Sequence, residues 1–189
     1  MPKKIQSKMV YTPGTGGFMK PEEVLSNIDI HEGAKAADFG PGAGYFTIPL
    51  AKRVGRRGVV YAVDVQESAL ESVRGRASLF SIRNIETIRG NLEKEKGSGL
   101  ESGSINLVLL ANILFQSKSK NAILKEAKRV LKKNGKIVII EWNDESAMGP
   151  NPDFRISKES LKDLAKKEGL VLEKEFNAGS NHYGLVFSL

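Results

Sequence analysis

The 189-residue sequence contains no cysteine, only two histidines and no long apolar run. The absence of cysteine excludes disulfides, thiolate metal ligands and cysteine nucleophiles. His31 and His182 are too few and too far apart in sequence to indicate a structural zinc site, so we expect no metal. No segment approaches the roughly 18 uninterrupted apolar residues of a membrane span, and residues 1–14 lack the apolar stretch of a secretory signal. These absences predict a cytoplasmic chain without a membrane span.

The size and charge of the chain bear on its domains and partners. With 40% hydrophobic residues, 189 residues are enough for one sizeable core, so a single domain, 1–189, is expected. The formal net charge of +7 is compatible with nucleic-acid binding. However, the lysines of segment 118–133 are spread along a predicted helix without interleaved aromatic residues for base stacking. A solvated helix surface is therefore favoured, and nucleic-acid binding is left open.

The apolar pattern alternates between strand-like and helix-like segments, which predicts an α/β fold with a mainly parallel sheet covered on both faces. The predicted strands are 35–39, 58–63, 85–89, 105–110, 136–142, 170–176 and 182–187. The predicted helices are 21–28, 45–54, 67–79, 118–132 and 157–168. The last two strands follow each other across a short turn and must be antiparallel, because a parallel pair needs a longer crossover.

Two segments lie outside this alternation. Residues 1–19 carry three glycines around Thr15 and few apolar side chains, which is typical of an irregular arm or lid. Residues 93–104 are rich in glycine, serine and charge and predict a mobile surface connection.

A glycine-rich turn follows the first predicted strand, where open α/β sheets bind nucleotides. Gly40, Gly42 and Gly44 follow a G-x-G-x-G spacing, whereas a dinucleotide fingerprint is G-x-G-x-x-G and would place its third glycine at Tyr45. Asp38, two positions before the first glycine, would repel a pyrophosphate but suits the ammonium of an amino-acid moiety. The glycines could also serve a tight turn alone, but the acidic residue favours ligand binding.

A second acidic residue, Asp64, ends the second predicted strand about twenty residues beyond the turn. A carboxylate at this position can accept hydrogen bonds from both ribose hydroxyls. The alternative is that Asp64 is a turn residue at a strand end.

These motifs resemble those of class I S-adenosylmethionine-dependent methyltransferases. Residues 38–44 and 63–64 are similar to the first two motifs of that family, and the antiparallel ending is also typical of it. Residues 90–92 resemble the third motif, although Asn91 replaces the more usual aspartate near the adenine amino group. Residues 106–116 resemble the fourth motif. Residues 126–136 are similar to the segment that enters strand five.

The resemblance implies a Rossmann-like three-layer sandwich with a seven-stranded sheet, S-adenosylmethionine as cofactor and S-adenosylhomocysteine as product. The implied cofactor-binding residues are Phe18, Asp38, Gly40, Pro41, Gly42, Gly44, Asp64, Val65, Asn91, Leu92 and Asn112. The acceptor-pocket candidates are Asn112, Trp142, His182 and Tyr183. No residue is identified as a general base.

The same residues also have structural interpretations. Asn91 could be an ordinary loop residue, Asn112 could be a helix cap and His182 could be a structural residue. The aromatic candidates could belong to the core, although Phe18, from the arm, could instead face the sulfonium.

The acceptor is inferred by exclusion. Residues 112–115 read Asn-Ile-Leu-Phe and lack the (Asp/Asn)-Pro-Pro-(Tyr/Phe) pattern with which amino-group methyltransferases hold their target nitrogen. The absence of cysteine excludes a covalent cytosine mechanism and arsenite methylation through metal thiolates. A small-molecule acceptor is favoured, as in the ubiquinone and menaquinone biosynthesis methyltransferases that the sequence resembles. The alternatives are an RNA or protein methyltransferase, a non-catalytic S-adenosylmethionine-binding module and a nucleotide-dependent dehydrogenase.

Overall fold

A computed structural model describes residues 19–189. Its strands are β1 (Lys35–Phe39), β2 (Val59–Asp64), β3 (Ile85–Arg89), β4 (Ile105–Ala111), β5 (Leu131–Trp142), β6 (Val171–Asn177) and β7 (His182–Ser188). Its helices are α1 (Pro21–Leu25), α2 (Thr47–Val54), α3 (Glu67–Leu79), α4 (Lys120–Val130) and α5 (Lys158–Lys167), with 3₁₀ turns at Leu114–Gln116 and Pro152–Phe154. Among these residues, no helix has the length and apolar character needed to cross a bilayer.

The strands form one seven-stranded sheet in the order β3-β2-β1-β4-β5-β7-β6. The pairs from β3 to β5 are parallel, and β7 runs antiparallel to both β5 and β6. The strand order reverses between β1 and β4, so the carboxyl ends of these strands flank a crevice at which open α/β sheets bind ligands. The predicted Rossmann-like sheet with an antiparallel ending is confirmed.

The two faces of the sheet carry separate apolar cores. Side chains of β5 alternate between them: Ile137 and Ile139 pack with α4 and α5, whereas Val138 and Ile140 pack with α1 and α2. The two-residue period of a strand causes this division. The second core also buries Met19, which was predicted to end the irregular arm. The rest of that predicted arm, including Phe18, lies outside the described residues.

Several predicted boundaries differ from the structure by one to five residues. The first helix ends at Leu25 rather than residue 28, because the Ser26 and Asn27 side chains donate to helix carbonyls and compete with further backbone bonds. The fourth helix ends at Val130 rather than residue 132. The strand after it begins at Leu131 rather than residue 136, because Leu131 already pairs with Ile105 before the register shifts.

Segment 93–104, predicted to be a mobile surface connection, is anchored to α4. Ser98 is fully buried, and both its amide and its hydroxyl donate to Oε1 of Glu126, at 3.0 and 2.5 Å. Arg129 donates to the same carboxylate and to the carbonyl of Leu100. Burial alone would raise the pKa of Glu126, but the hydrogen bonds from Arg129 and Ser98 outweigh it and lower the pKa. Segment 93–104 is therefore fixed to α4 through buried polar contacts, although its composition is that of an exposed loop.

Candidate active site

A cavity of about 420 Å³ lies at the carboxyl ends of the central strands. Seven of the predicted cofactor-binding residues line it: Gly40, Gly42, Asp64, Val65, Asn91, Leu92 and Asn112. Because parallel strands bring the loops after them to one edge of the sheet, residues far apart in sequence meet here. Asp38, Pro41 and Gly44 lie in or beside the same turn but are not part of the cavity lining.

The glycine turn depends on left-handed backbone conformations. Gly40, Gly42 and Gly44 have φ angles of 73°, 51° and 79°, a region that side chains with a Cβ atom rarely adopt. A Cβ atom on Gly42 would meet no atom within 4 Å, so the turn leaves open space beside the backbone. A Cβ atom on Gly44 would lie 3.2 Å from Cγ2 of Val73. The close contact of Gly44 is therefore with α3.

Asp38 is buried at the base of the turn. Its Oδ2 accepts a 2.7 Å hydrogen bond from the hydroxyl of Thr47, in the first turn of α2. Its Oδ1 is buried without a hydrogen-bond partner among residues 19–189. Burial raises the pKa of Asp38 to about 7, against the opposing effect of the Thr47 hydrogen bond, and the charge of Asp64 raises it further. A buried carboxylate with an unsatisfied oxygen fits a cationic ligand group.

Two of the predicted ligand residues also shape their own loops. Oδ1 of Asp64 accepts from the amide of Gln66 at 2.9 Å, and Oδ1 of Asn91 accepts from the amide of Glu93 at 3.0 Å. These are turns in which a side chain binds the backbone two residues on. The turn interpretation and the ligand interpretation are therefore compatible, since both side chains also face the cavity.

A second cavity, of about 370 Å³, adjoins the first. It is lined by Asn112, Phe115, Gln116, Trp142, Met148, Gly149 and Pro150. Asn112 and Gln116 line both cavities and thus stand at their junction. None of these seven described side chains carries a formal charge, so the second cavity suits an uncharged, largely apolar group.

His182 lies behind this cavity rather than in its lining. Its ring centroid is 4.0 Å from that of Trp142, with which it pairs across β5 and β7. Its Nε2 lies 3.2 Å from Nδ2 of Asn112, and its Nδ1 is buried without a partner among the described residues. Burial lowers the pKa of His182 to about 4, so the imidazole is neutral near pH 7.

Tyr183 points away from both cavities. It belongs to the core on the α4 and α5 face, and its hydroxyl donates a 2.7 Å hydrogen bond to the carbonyl of Ile156. Burial raises the pKa of its hydroxyl above the ordinary range. The structure thus places Tyr183, predicted beside the acceptor, among structural residues.

Three residues that the sequence analysis missed hold the site together. Thr47 binds Asp38, and Glu141 accepts hydrogen bonds from the amides of Leu114 and Phe115. Arg155 binds a set of backbone carbonyls beside the second cavity. Only Glu141 had a signal in the sequence, as an acidic residue that directly follows the apolar run 137–140 of a predicted strand.

The comparison with known families agrees with this geometry. Residues 30–181 match the family described as "Methyltransferase domain". The chain belongs to this methyltransferase family. The match covers most of the chain and confirms the resemblance to class I S-adenosylmethionine-dependent methyltransferases.

Relatives of this methyltransferase domain point the same way. The chain is 28% identical over 128 residues to a demethylmenaquinone methyltransferase from Bacillus mycoides, covering 68% of this chain and 53% of the relative. It is 27% identical over 128 residues to a demethylmenaquinone methyltransferase from Bacillus cereus, with the same coverage of 68% and 53%. The chain therefore spans about half the length of these curated relatives. The crystal structure of a SAM-dependent methyltransferase from Aquifex aeolicus has a TM-score of 0.85 and 26% identity and covers 93% of each chain.

Proposed function

We propose that this chain transfers a methyl group from S-adenosylmethionine to an uncharged, largely apolar small molecule. The observation that carries the proposal is the pair of adjoining cavities that share Asn112 and Gln116. One cavity contains the family's cofactor motifs, and the other has an apolar lining. A methyl donor in the first would face an acceptor in the second across this junction.

The residues of the first cavity fit the cofactor. Asp38 lies beside the cavity lining, and its unsatisfied Oδ1 would receive the ammonium group directly or through water. Asp64, which lines the cavity, would accept hydrogen bonds from the ribose hydroxyls. The open space beside Gly42 permits close approach of the amino-acid arm. Asn91 and Leu92 would contact the adenine, as the third motif of the family implies. When bound, S-adenosylmethionine supplies a methyl group already activated by its sulfonium sulfur.

The chain's own contribution to the rate is alignment. The described lining of the second cavity offers the amides of Asn112 and Gln116 but no titratable side chain. Alignment of two bound partners can contribute about 7 to 11 kcal/mol to lowering a barrier. The apolar walls would also keep water from competing for the methyl group.

The relatives support a small acceptor. Two of them are named demethylmenaquinone methyltransferases, and the second cavity of this chain combines Trp142 and Phe115 with Met148. Aromatic walls suit a flat ring, because stacked rings gain about 0.5 to 1.5 kcal/mol beyond area burial. We therefore propose a ring-bearing quinol or phenol as the acceptor class.

Two measurements test the function. Calorimetry should detect binding of S-adenosylhomocysteine and S-adenosylmethionine but weaker or no binding of NAD. Incubation with methyl-labelled S-adenosylmethionine should label a naphthoquinol or an alkylphenol in preference to mixed RNA or an unfolded protein. Labelling of RNA with a steep salt dependence would instead identify a nucleic-acid methyltransferase. Binding without labelling of any acceptor would identify a non-catalytic module.

A further inference from the structure

The junction between the two cavities is a sharply bent segment, Asn112–Phe115. Asn112 has a φ of 55°, a left-handed conformation that asparagine adopts more readily than most residues with a side chain. Its amide donates to the carbonyl of Ile140 at 2.8 Å, which ties the bend to β5. A bend of this kind persists only when its surroundings hold it.

His182 holds the first residue of this segment. In the orientation that the structure gives the Asn112 amide, Nδ2 donates and Nε2 of the neutral His182 accepts, which assigns the imidazole proton to Nδ1. This hydrogen bond leaves Asn112 with one fixed orientation, at the point where both cavities meet. Because His182 is fully buried and does not line the second cavity, the imidazole has no direct path to an acceptor there.

Glu141 holds the other end of the segment. Its Oε1 accepts from the amide of Leu114 at 2.7 Å and from that of Phe115 at 3.4 Å. These amides begin a 3₁₀ turn and have no partner within it, so a buried carboxylate satisfies them. The carboxylate is fully buried, and its Oε2 has no hydrogen-bond partner among residues 19–189.

The two holding residues lie on opposite faces of the sheet. Trp142 pairs with His182 and Glu141 pairs with Tyr183, and neighbouring residues of a strand face opposite sides. His182 therefore lies on the α1 and α2 face, whereas Glu141 lies on the α4 and α5 face. The bent segment therefore donates a hydrogen bond to a residue on each face of the sheet.

We propose that His182 and Glu141 are positioning residues that fix segment Asn112–Phe115 and thereby set the partition between the cofactor and acceptor cavities. Neither side chain contacts the cofactor or the acceptor, and His182 is not a general base. The geometric part of the proposal is independent of the reaction, and the effect on turnover rests on the function proposed above.

A pair of variants separates positioning from proton transfer. His182→Gln can still accept from Asn112, whereas His182→Leu cannot. We expect His182→Leu to lower kcat about tenfold or more with a smaller change in the Kd of S-adenosylhomocysteine, and His182→Gln to restore most of the loss. His31→Gln, at an exposed position, is the matched control. If His182→Gln is as impaired as His182→Leu while both bind S-adenosylhomocysteine normally, the positioning role is refuted.

Amide exchange tests the role of Glu141 without any acceptor. Glu141→Gln keeps an oxygen for the amides of Leu114 and Phe115, whereas Glu141→Met removes it. We expect exchange of these two amides to accelerate about tenfold or more in Glu141→Met and to stay near the wild-type rate in Glu141→Gln. Unchanged protection in Glu141→Met would overturn the assignment.

The wild-type protein provides a test that needs no variant. It has only two histidines, so the imidazole nitrogen signals of His182 and of the exposed His31 are readily separated. We expect His182 to stay neutral with its proton on Nδ1 from pH 5.5 to 8.5. A proton on Nε2, or titration within that range, would contradict the hydrogen bond from Asn112.

Amide exchange and the imidazole signals can be measured even if no methyl acceptor is found. Failure of the positioning proposal is therefore distinguishable from failure of the proposed function.

Discussion

Gly149 lies against the indole ring of Trp142. A Cβ atom on Gly149 would lie 2.5 Å from Cε3 and 2.7 Å from Cζ3 of that ring, closer than real side chains approach. The φ angle of Gly149 is 102°, which glycine adopts without strain. Segment 148–150 and Trp142 therefore form one wall of the second cavity through a contact that only glycine permits.

Gly149→Ala should displace this wall. Overpacking of this kind costs typically 1 to 3 kcal/mol, and we expect a loss of stability in that range. Gly103→Ala is the matched control, because its φ is also positive, at 65°, but an added Cβ meets no atom within 4 Å. Urea unfolding measures the difference, and Trp142, the one tryptophan of the chain, reports the local change by fluorescence. Equal losses in the two variants, with unchanged fluorescence, would contradict the contact.

Arg155 organises the segment that carries Gly149. Its guanidinium donates to the carbonyls of Asn143, Asp144, Ser146, Met148 and Pro150, at 2.6 to 3.2 Å. A planar group with five donors can satisfy several carbonyls at once, whereas an ammonium group has three donors at one point. Segment 143–150 is therefore organised around the Arg155 guanidinium rather than around an apolar side chain.

Arg155→Lys should loosen this segment and leave the cofactor cavity intact. We expect the KM of the acceptor to rise about tenfold, with a Kd of S-adenosylhomocysteine within about threefold of the wild-type value. Arg56→Lys, at an exposed position, controls for the general effect of losing a guanidinium. A matching rise in the Kd of S-adenosylhomocysteine would show that the segment supports both cavities.

Much of the fold could be predicted because local patterns and sheet packing agree. β1, α3 and β3 have the predicted bounds, and the antiparallel ending follows from the short connection between β6 and β7. The start of β5 at Leu131 could not be predicted, because its first pairing with β4 depends on a register shift rather than on local propensity.

Features of the candidate site also fall into those that the local sequence predicts and those that it does not. The position of Gly40, Gly42 and Asp64 at one cavity could be predicted, because it depends on residue type and spacing within one stretch of chain. The direction of Tyr183 could not, because one residue of register decides which face of β7 carries it. The role of Arg155 also had no signal, because it depends on carbonyl groups, which every residue has.

Asp64 should contribute to cofactor binding through its charge. A hydrogen bond to a charged acceptor is worth about 1.5 to 3 kcal/mol, so Asp64→Ala should weaken S-adenosylhomocysteine binding tenfold or more by calorimetry. Asp64→Asn keeps an oxygen for the amide of Gln66 and separates the turn from the ligand contact. We expect it to bind more weakly than the wild type, and wild-type affinity in Asp64→Asn would show that the turn alone matters. Asp29→Ala, an exposed carboxylate elsewhere on the surface, is the control.

Asp38 should make cofactor affinity depend on pH. Its pKa of about 7 means that the ligand-free protein holds a proton on Asp38 at pH 5.5 and has largely lost it at pH 8.5. An ammonium group binds the ionised carboxylate, so the affinity for S-adenosylhomocysteine should rise across this range. Calorimetry should find weaker and pH-independent binding in Asp38→Asn. Thr47→Val, which removes the hydrogen bond that lowers this pKa, should move the rise to higher pH.

The contribution of Asp38 to folding stability should fall as pH rises, whereas its contribution to cofactor affinity rises. In the unfolded chain the carboxyl loses its proton near its ordinary pKa of about 3.9, so between roughly pH 4 and 7 the folded protein binds more protons than the unfolded chain. The contribution of Asp38 to stability therefore falls as pH rises through this window. Asp38→Asn removes that dependence, and the comparison of the two proteins cancels the effects of other titrating groups. Urea unfolding should therefore show Asp38→Asn gaining stability relative to the wild type between pH 5 and 8. If the difference between their free energies of unfolding stays constant over this range, Asp38 is already ionised at pH 5.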